Sequence, residues 1–127
     1  MKTELQIKLF EKYPKIFKQK DLSIKESCMC WGVECGDGWY WLIDQLCNSL
    51  QRYIDSNNKE QIEAVQIKEK YGTLCFYADG IEEFTQGMIW LAESMSGDVC
   101  ELCGSTNNVT QSTGWIMTRC DKCKNAE

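Results

Sequence analysis

Apolar residues along this chain fall first at helical spacing, then alternate, then return to helical spacing. Leu5, Leu9, Phe10 and Tyr13 share one side of a short helix that Thr3-Glu-Leu-Gln6 would open as a capping box and Pro14 would stop. After Gly36-Asp37-Gly38 the apolar positions are Trp39, Leu42, Ile43, Leu46, Cys47, Leu50, Tyr53 and Ile54. That spacing predicts a central helix with Asp37 as its cap, ended by the polar run Asp55-Ser-Asn-Asn-Lys59. Val65 and Ile67 then alternate with Gln66 and Lys68 as far as Tyr71-Gly72, and Leu74-Cys-Phe-Tyr-Ala78 runs back to Asp79-Gly80. Together they predict an antiparallel hairpin whose second strand is the more buried. Ile81, Phe84, Met88, Leu91, Ala92 and Met95 mark the apolar stripe of a second amphipathic helix, with Gly97 in the position just past its end.

The last segment has a different logic. Cys100-Glu-Leu-Cys103 and Cys120-Asp-Lys-Cys123 are two C-x-x-C knuckles separated by sixteen residues. Between them lie a turn cluster, Gly104-Ser-Thr-Asn-Asn108, and short extended runs from Val109 onward. Each knuckle offers two thiolates from one bend, and two bends complete a tetrahedral zinc shell; two disulfides or a redox pair are the competing readings, and the spacing favours zinc. Metal would stand in for a core that so short a segment cannot build. The expected architecture is α+β: an antiparallel β-hairpin or small sheet packed by two main helices in residues 1–97, then a four-cysteine zinc ribbon in residues 98–127.

Composition narrows the setting. The chain has 127 residues, 43% of them hydrophobic, enough for one folded domain with a small appendage. It lacks a charged segment followed by an apolar one at its start, and no apolar run approaches the roughly 18 residues a membrane span requires. Nine cysteines without an export signal favour a reducing compartment, so the cytoplasm is expected. Charge is uneven: residues 1–25 carry seven lysines and three acids, whereas residues 26–97 carry four basic and twelve acidic side chains. The lysine-rich start reads as a solvated helix face, and nonspecific nucleic-acid binding is not expected from so acidic a body.

The string Cys28-Met-Cys-Trp-Gly-Val-Glu-Cys-Gly-Asp-Gly-Trp39-Tyr resembles a motif in a group of small phage and bacterial proteins that end in a zinc ribbon. The same group shares Ile67-Lys-Glu-Lys-Tyr-Gly-Thr-Leu-Cys-Phe-Tyr77, Ala92-Glu-x-x-Ser and Cys100-Glu-x-Cys-Gly with a later Gly114-Trp. The resemblance runs from about residue 10 onward. It implies the zinc site and a phage or bacterial source, and it carries no activity with it.

Catalytic chemistry has few candidates. There is no histidine, hence neither the usual general base near neutral pH nor the usual partner of a nucleophilic Ser or Cys. A four-thiolate shell leaves no coordination position for water, and no phosphate-cradling glycine loop is present. Carboxylate chemistry would fall to Glu34, Asp37 or Asp44, whose plainer roles are capping and surface charge. Cys28, Cys30, Cys35 and Cys47 could in principle form a second metal site, but their spacing matches no standard ligand set. Cys47 and Cys75 read instead as small hydrophobes.

Tryptophans give the remaining signal. Trp41 lies off the central helix's apolar stripe with Gln45, Asn48 and Arg52, and Trp90 lies off the second helix's stripe with Gln86, Glu93 and Ser94. Burial of each helix on two sides is the preferred explanation, and an interface or stacking surface is the other. Trp31-Gly32 and the Gly36 to Trp39 loop could form either a ligand pocket or a tight turn that seats the helix. The candidate contact residues are therefore Trp31, Asp37, Trp39, Trp41, Arg52 and Trp90. The leading functional expectation is a nonenzymatic zinc-containing protein that acts through contact with a protein partner, concretely a phage-encoded inhibitor of a host defence system. A small-ligand or nucleotide-sequestering protein is the alternative, and a carboxylate-dependent hydrolase is the third reading.

Overall fold

In the computed structural model, which describes residues 1–125, the central helix α2 organises everything else. In chain order, helix α1 spans Thr3–Lys12, strand β1 Val33–Glu34, α2 Tyr40–Asn57, β2 Glu63–Lys70, β3 Thr73–Asp79, α3 Glu83–Ser96, β4 Val109–Gln111 and β5 Thr118–Cys120. The fold is α+β. One sheet has the order β1-β2-β3, with β1 parallel and β3 antiparallel to β2, and a second, two-stranded sheet forms the C-terminal ribbon.

The periodicity of α2 translates directly into packing. Leu42, Ile43, Leu46, Cys47, Leu50 and Ile54 are all buried. They form one cluster with Ala64, Ile67, Leu74 and Phe76 of the sheet and with Leu9, Ile16 and Phe17 from the N-terminal segment. Each fully buried side chain of this size stabilises the fold by roughly 1.5–3 kcal/mol. The stripe also holds a carboxylate, Asp44. Its Oδ1 accepts from Tyr13 Oη at 2.6 Å and from Lys12 Nζ at 2.7 Å, so a buried charge is satisfied by the C-terminal end of α1. Burial, and then the bond to Asp44, push the Tyr13 phenol well above its ordinary range.

Four local expectations are corrected. Thr3-Glu-Leu-Gln6 makes no capping box: Lys2 is the N-cap and its side chain does not bond. Gln6 is used across the fold instead, accepting from Val33 N at 3.0 Å and donating to Met1 O at 2.6 Å. Asp37 does not cap α2, which starts three residues later behind a 3-10 turn; its Oδ1 accepts from Lys2 N at 2.8 Å. Gly97 ends α3 in right-handed geometry, φ −66°, so nothing about that turn requires glycine's left-handed freedom. The second hairpin strand is no more buried than the first, since each places two residues in the core. A bulge between Ala64 and Gln66 shifts the alternation, so Ala64 packs inward where the pattern pointed to Val65.

Strand β3 would leave a free edge, and α3 covers it. Leu74 N donates to Ser96 Oγ and Phe76 N to Glu93 Oε2, both at 2.9 Å, so two outward-facing amides of the edge are capped by helix side chains. This fixes which face of α3 turns inward: Thr85, Ile89, Ala92 and Ser96 are buried. Thr85 and Glu82 also form the capping box that opens α3. Half of the stripe expected in the core meets it, Ala92 buried and Ile81 and Met88 packed against it, whereas the other half faces outward, with Phe84 60% exposed, Leu91 56% and Met95 41%.

Trp39, one of the candidate contact residues, belongs to the core. It is fully buried and its Nε1 donates to Val99 O at 2.9 Å, tying the start of α2 to the segment that enters the ribbon. Trp39→Phe removes that donor and part of the packed volume, and is expected to lower unfolding free energy by about 2 kcal/mol or more in a denaturant titration. A mutant of unchanged stability would return Trp39 to the list of surface contacts.

Candidate metal centre and exposed helix face

The ribbon's two knuckles meet because the backbone folds each one on itself and then ties them together. Gly104 N donates to Cys100 O and Cys100 N to Ser105 O, both at 2.8 Å, closing the first bend. Cys123 N and Lys124 N both donate to Cys120 O, closing the second. Glu101 N donates to Thr118 O at 3.0 Å, and Val109 pairs with Cys120 across β4 and β5. As a result the sulfurs of Cys100, Cys103, Cys120 and Cys123 all lie within 4.8 Å of one another.

Their geometry suits a single tetrahedral ion. A metal–sulfur distance of about 2.3 Å gives a tetrahedron edge of about 3.8 Å, and Cys103 Sγ stands 3.7 Å from Cys120 Sγ. The four ribbon sulfurs converge as one set, the arrangement a single ion needs, and not as two separate bonded pairs. Electrostatics agree. Burial opposes ionisation of Cys100, yet backbone N–H groups of Cys103, Cys120 and Leu102 outweigh it and bring its thiol down from 9.0 to about 6. Sharing a proton with Cys103, chiefly, pushes Cys123 up to about 12. The backbone N–H groups thus favour the thiolate form of Cys100, the form that ligates a metal. Four thiolates and no open position describe a site that holds structure together.

The Gly36-Asp37-Gly38 loop is the seat of this centre. Gly38 N donates to Glu101 O at 2.7 Å and Gly36 N to Glu101 Oε2 at 2.9 Å. A Cβ at Gly38 would fall 2.1 Å from Cys100 O, and one at Gly36 2.3 Å from Glu101 O. Backbone meets backbone here, which only glycine permits. On the ribbon's other side Thr118 Oγ1 donates to Gly72 O at the hairpin tip.

The six candidate contact residues do not converge. Trp31 is exposed on a 3-10 turn, Cys28–Trp31, and Trp39 is buried. Asp37 and Trp41 line one hollow of about 370 Å³ that reaches Cys103 and Gly104. Arg52 is eleven residues beyond Trp41 on α2 and hence about 16 Å along its axis, so it does not set a cation beside that ring. Trp41 and Trp90 are 63% and 65% exposed, which overturns the preference for two-sided burial within the chain. Among the described residues the ribbon cysteines are the one set of three or more candidate ligands whose donor atoms cluster, so neither Cys28, Cys30, Cys35 and Cys47 nor Glu34, Asp37 and Asp44 assemble a second centre. Cys47 is fully buried, as a small hydrophobe, and burial lifts the Cys35 thiol to about 12.

What the sequence did not single out is the groove between α2 and α3. It has a volume of about 330 Å³ and is walled by Trp41, Leu42, Leu46, Met88, Leu91 and Met95. Tyr53 stacks on Phe84 at 4.5 Å near the C-terminal end of α2. The groove and the hollow beside Cys103 share Trp41, Leu42 and Met95, so one apolar surface runs from the helices to the first knuckle. Its signal was in the sequence, as one apolar stripe too many for the core available.

Fold and site together define a small α+β protein closed by a four-cysteine metal ribbon. No protein family model, curated protein or solved structure matches the chain. Among the described residues no helix is long and apolar enough to cross a membrane.

Gly38→Ala tests the seat. Its methyl has no space against the Cys100 carbonyl, and thermal and denaturant unfolding should show a loss of about 2–3 kcal/mol with weaker metal retention. Wild-type stability in this variant would mean that body and ribbon are not joined there.

Proposed function

We propose that this chain is a zinc-stabilised, nonenzymatic protein that works by contact with another protein through its α2–α3 face. The observation that carries the reading is the outward part of α3: Phe84, Leu91 and Met95 keep 60%, 56% and 41% of their surface exposed, while the buried face gives two of its four places to Thr85 and Ser96 beside Ile89 and Ala92. A surface helix normally does the reverse, and contiguous exposed apolar surface on a water-soluble fold marks an interaction site. Trp41 and Trp90 on the same pair of helices are of the residue type most enriched among interface anchors. Zinc is the ion we assign to the ribbon, because an all-thiolate tetrahedron with no open position is its characteristic structural shell. For the setting we propose a phage-encoded factor that blocks a host system: the resemblance through Cys28 to Tyr40 supports the phage or bacterial source, and the exposed apolar face supports action by contact.

Two measurements check this. Native mass spectrometry should find one zinc per wild-type chain, and Cys123→Ser should lose it together with the ribbon's hydrogen-exchange protection; an iron centre, or full zinc in the mutant, contradicts the assignment. Immobilised wild-type protein should capture a bacterial protein that Leu91→Glu, with unchanged melting and metal content, does not. Equal capture by both forms counts against the face, as does capture by neither when the wild-type chain is monomeric.

A further inference from the structure

We infer that the partner seated on the α2–α3 face is a second copy of this chain, with α3 lying antiparallel to α3 across a two-fold axis. The inference rests on the reading of that face as a protein-contact surface and names its occupant.

Self-complementarity is the first argument. A groove between two helices takes an amphipathic helix with apolar residues one, two and three turns apart, and α3 itself displays Phe84, Leu91 and Met95 at i, i+7 and i+11, with Met88 half-buried between them. Each copy therefore carries both a groove and the ridge that fits it, which is what an isologous contact demands.

Charge is the second. Residues 26–97 hold twelve acidic side chains against four basic ones, so two copies brought together at random would repel. The groove, however, is lined wholly by uncharged residues. A basic partner would require acids beside it, whereas a second copy requires that no like charges be pressed together.

Area is the third. Trp41, Phe84, Leu91 and Met95 each keep between 41% and 63% of their surface exposed. With aromatic side chains covering 150–250 Å² each, they offer on the order of 500 Å² of apolar surface per copy, about the apolar share of the roughly 800 Å² per partner that a stable interface buries.

Gly87 completes the case. It sits in the interior of α3 on the turn between Phe84 and Leu91, where glycine weakens a helix relative to alanine. Beyond its chain neighbours and the adjacent backbone of its own helix, nothing among the described residues lies within 4 Å of the place a Cβ would occupy. The fold gives no reason for glycine there, whereas a helix crossing closely from outside does.

Sedimentation equilibrium of the metal-loaded full chain decides the matter. Wild-type protein should have twice the 14.7 kDa chain mass, with a dissociation constant at or below the low-micromolar range. Leu91→Glu should weaken the dimer at least tenfold while leaving circular dichroism and metal content unchanged. Gly87→Ala should raise the melting point of the monomer, since alanine is the better helix former, and yet weaken the dimer. A wild-type chain that stays at monomer mass up to about 100 µM overturns the inference, as does a dimer indifferent to both substitutions. If the chain is monomeric but Leu91-dependent capture of a different protein persists, the second copy is excluded and the contact face stands. A monomer without such capture removes both.

Discussion

The backbone contact between Gly38 and the Cys100–Glu101 peptide is the joint on which this molecule depends. A ribbon of this size has almost no core, and a four-thiolate centre fixes its internal shape without saying where it sits. Its position comes from its attachments to the body, of which three stand out beside the bond from Gln111 to Gly97 O. Gly36 and Gly38 hold Glu101, Trp39 donates to Val99, and Thr118 reaches the hairpin tip at Gly72. Two of these belong to a single stretch of chain just ahead of α2, so the helix that organises the core also carries the seat of the metal centre. Loading the ion and ordering the start of α2 are for this reason one event in the physical sense: each holds atoms that the other needs in place.

The second organising fact is the rotation of α3. Hydrophobic patterning would turn Phe84, Met88, Leu91 and Met95 inward. The edge of β3 offers a stronger constraint, because its exposed amides need acceptors and Ser96 and Glu93 supply them from the opposite side of the helix. A buried unsatisfied amide costs about 1–3 kcal/mol, and small residues such as Ala92 and Thr85 allow the helix to lie close to the strand. Polar satisfaction sets the rotation, and the apolar stripe is left over for solvent or a partner.

This is also why the sequence was legible in some places and opaque in others. Helix α2 could be read residue by residue, since one strong period over many turns has one solution, and the ribbon cysteines could be read because their spacing has few other uses. The hairpin's existence was clear from Tyr71-Gly72, but its phase was not, because the bulge at Val65 inserts a residue that no local signal announces. The short strand β1 was missed altogether: Val33–Glu34 is too brief to show alternation, and it is defined only by pairing with Ile67 and Lys68. Asp37 and Gln6 looked like caps by local spacing and serve instead in contacts across the fold. Trp39 looked like a ligand contact because a tryptophan just after two glycines in a loop suggests a pocket, when the glycines were there to admit the knuckle's backbone.

The way α3 covers β3 has a further consequence, for solubility. Leu74, Cys75 and Phe76 form a short apolar run with no charge and no proline, the kind of segment that adds strands from other chains once its edge is open. Two side-chain hydrogen bonds and one small-residue helix face keep that edge closed. Any lesion that loosens α3, even one remote from the metal, would therefore reveal itself first as aggregation through β3 and only later as loss of the core.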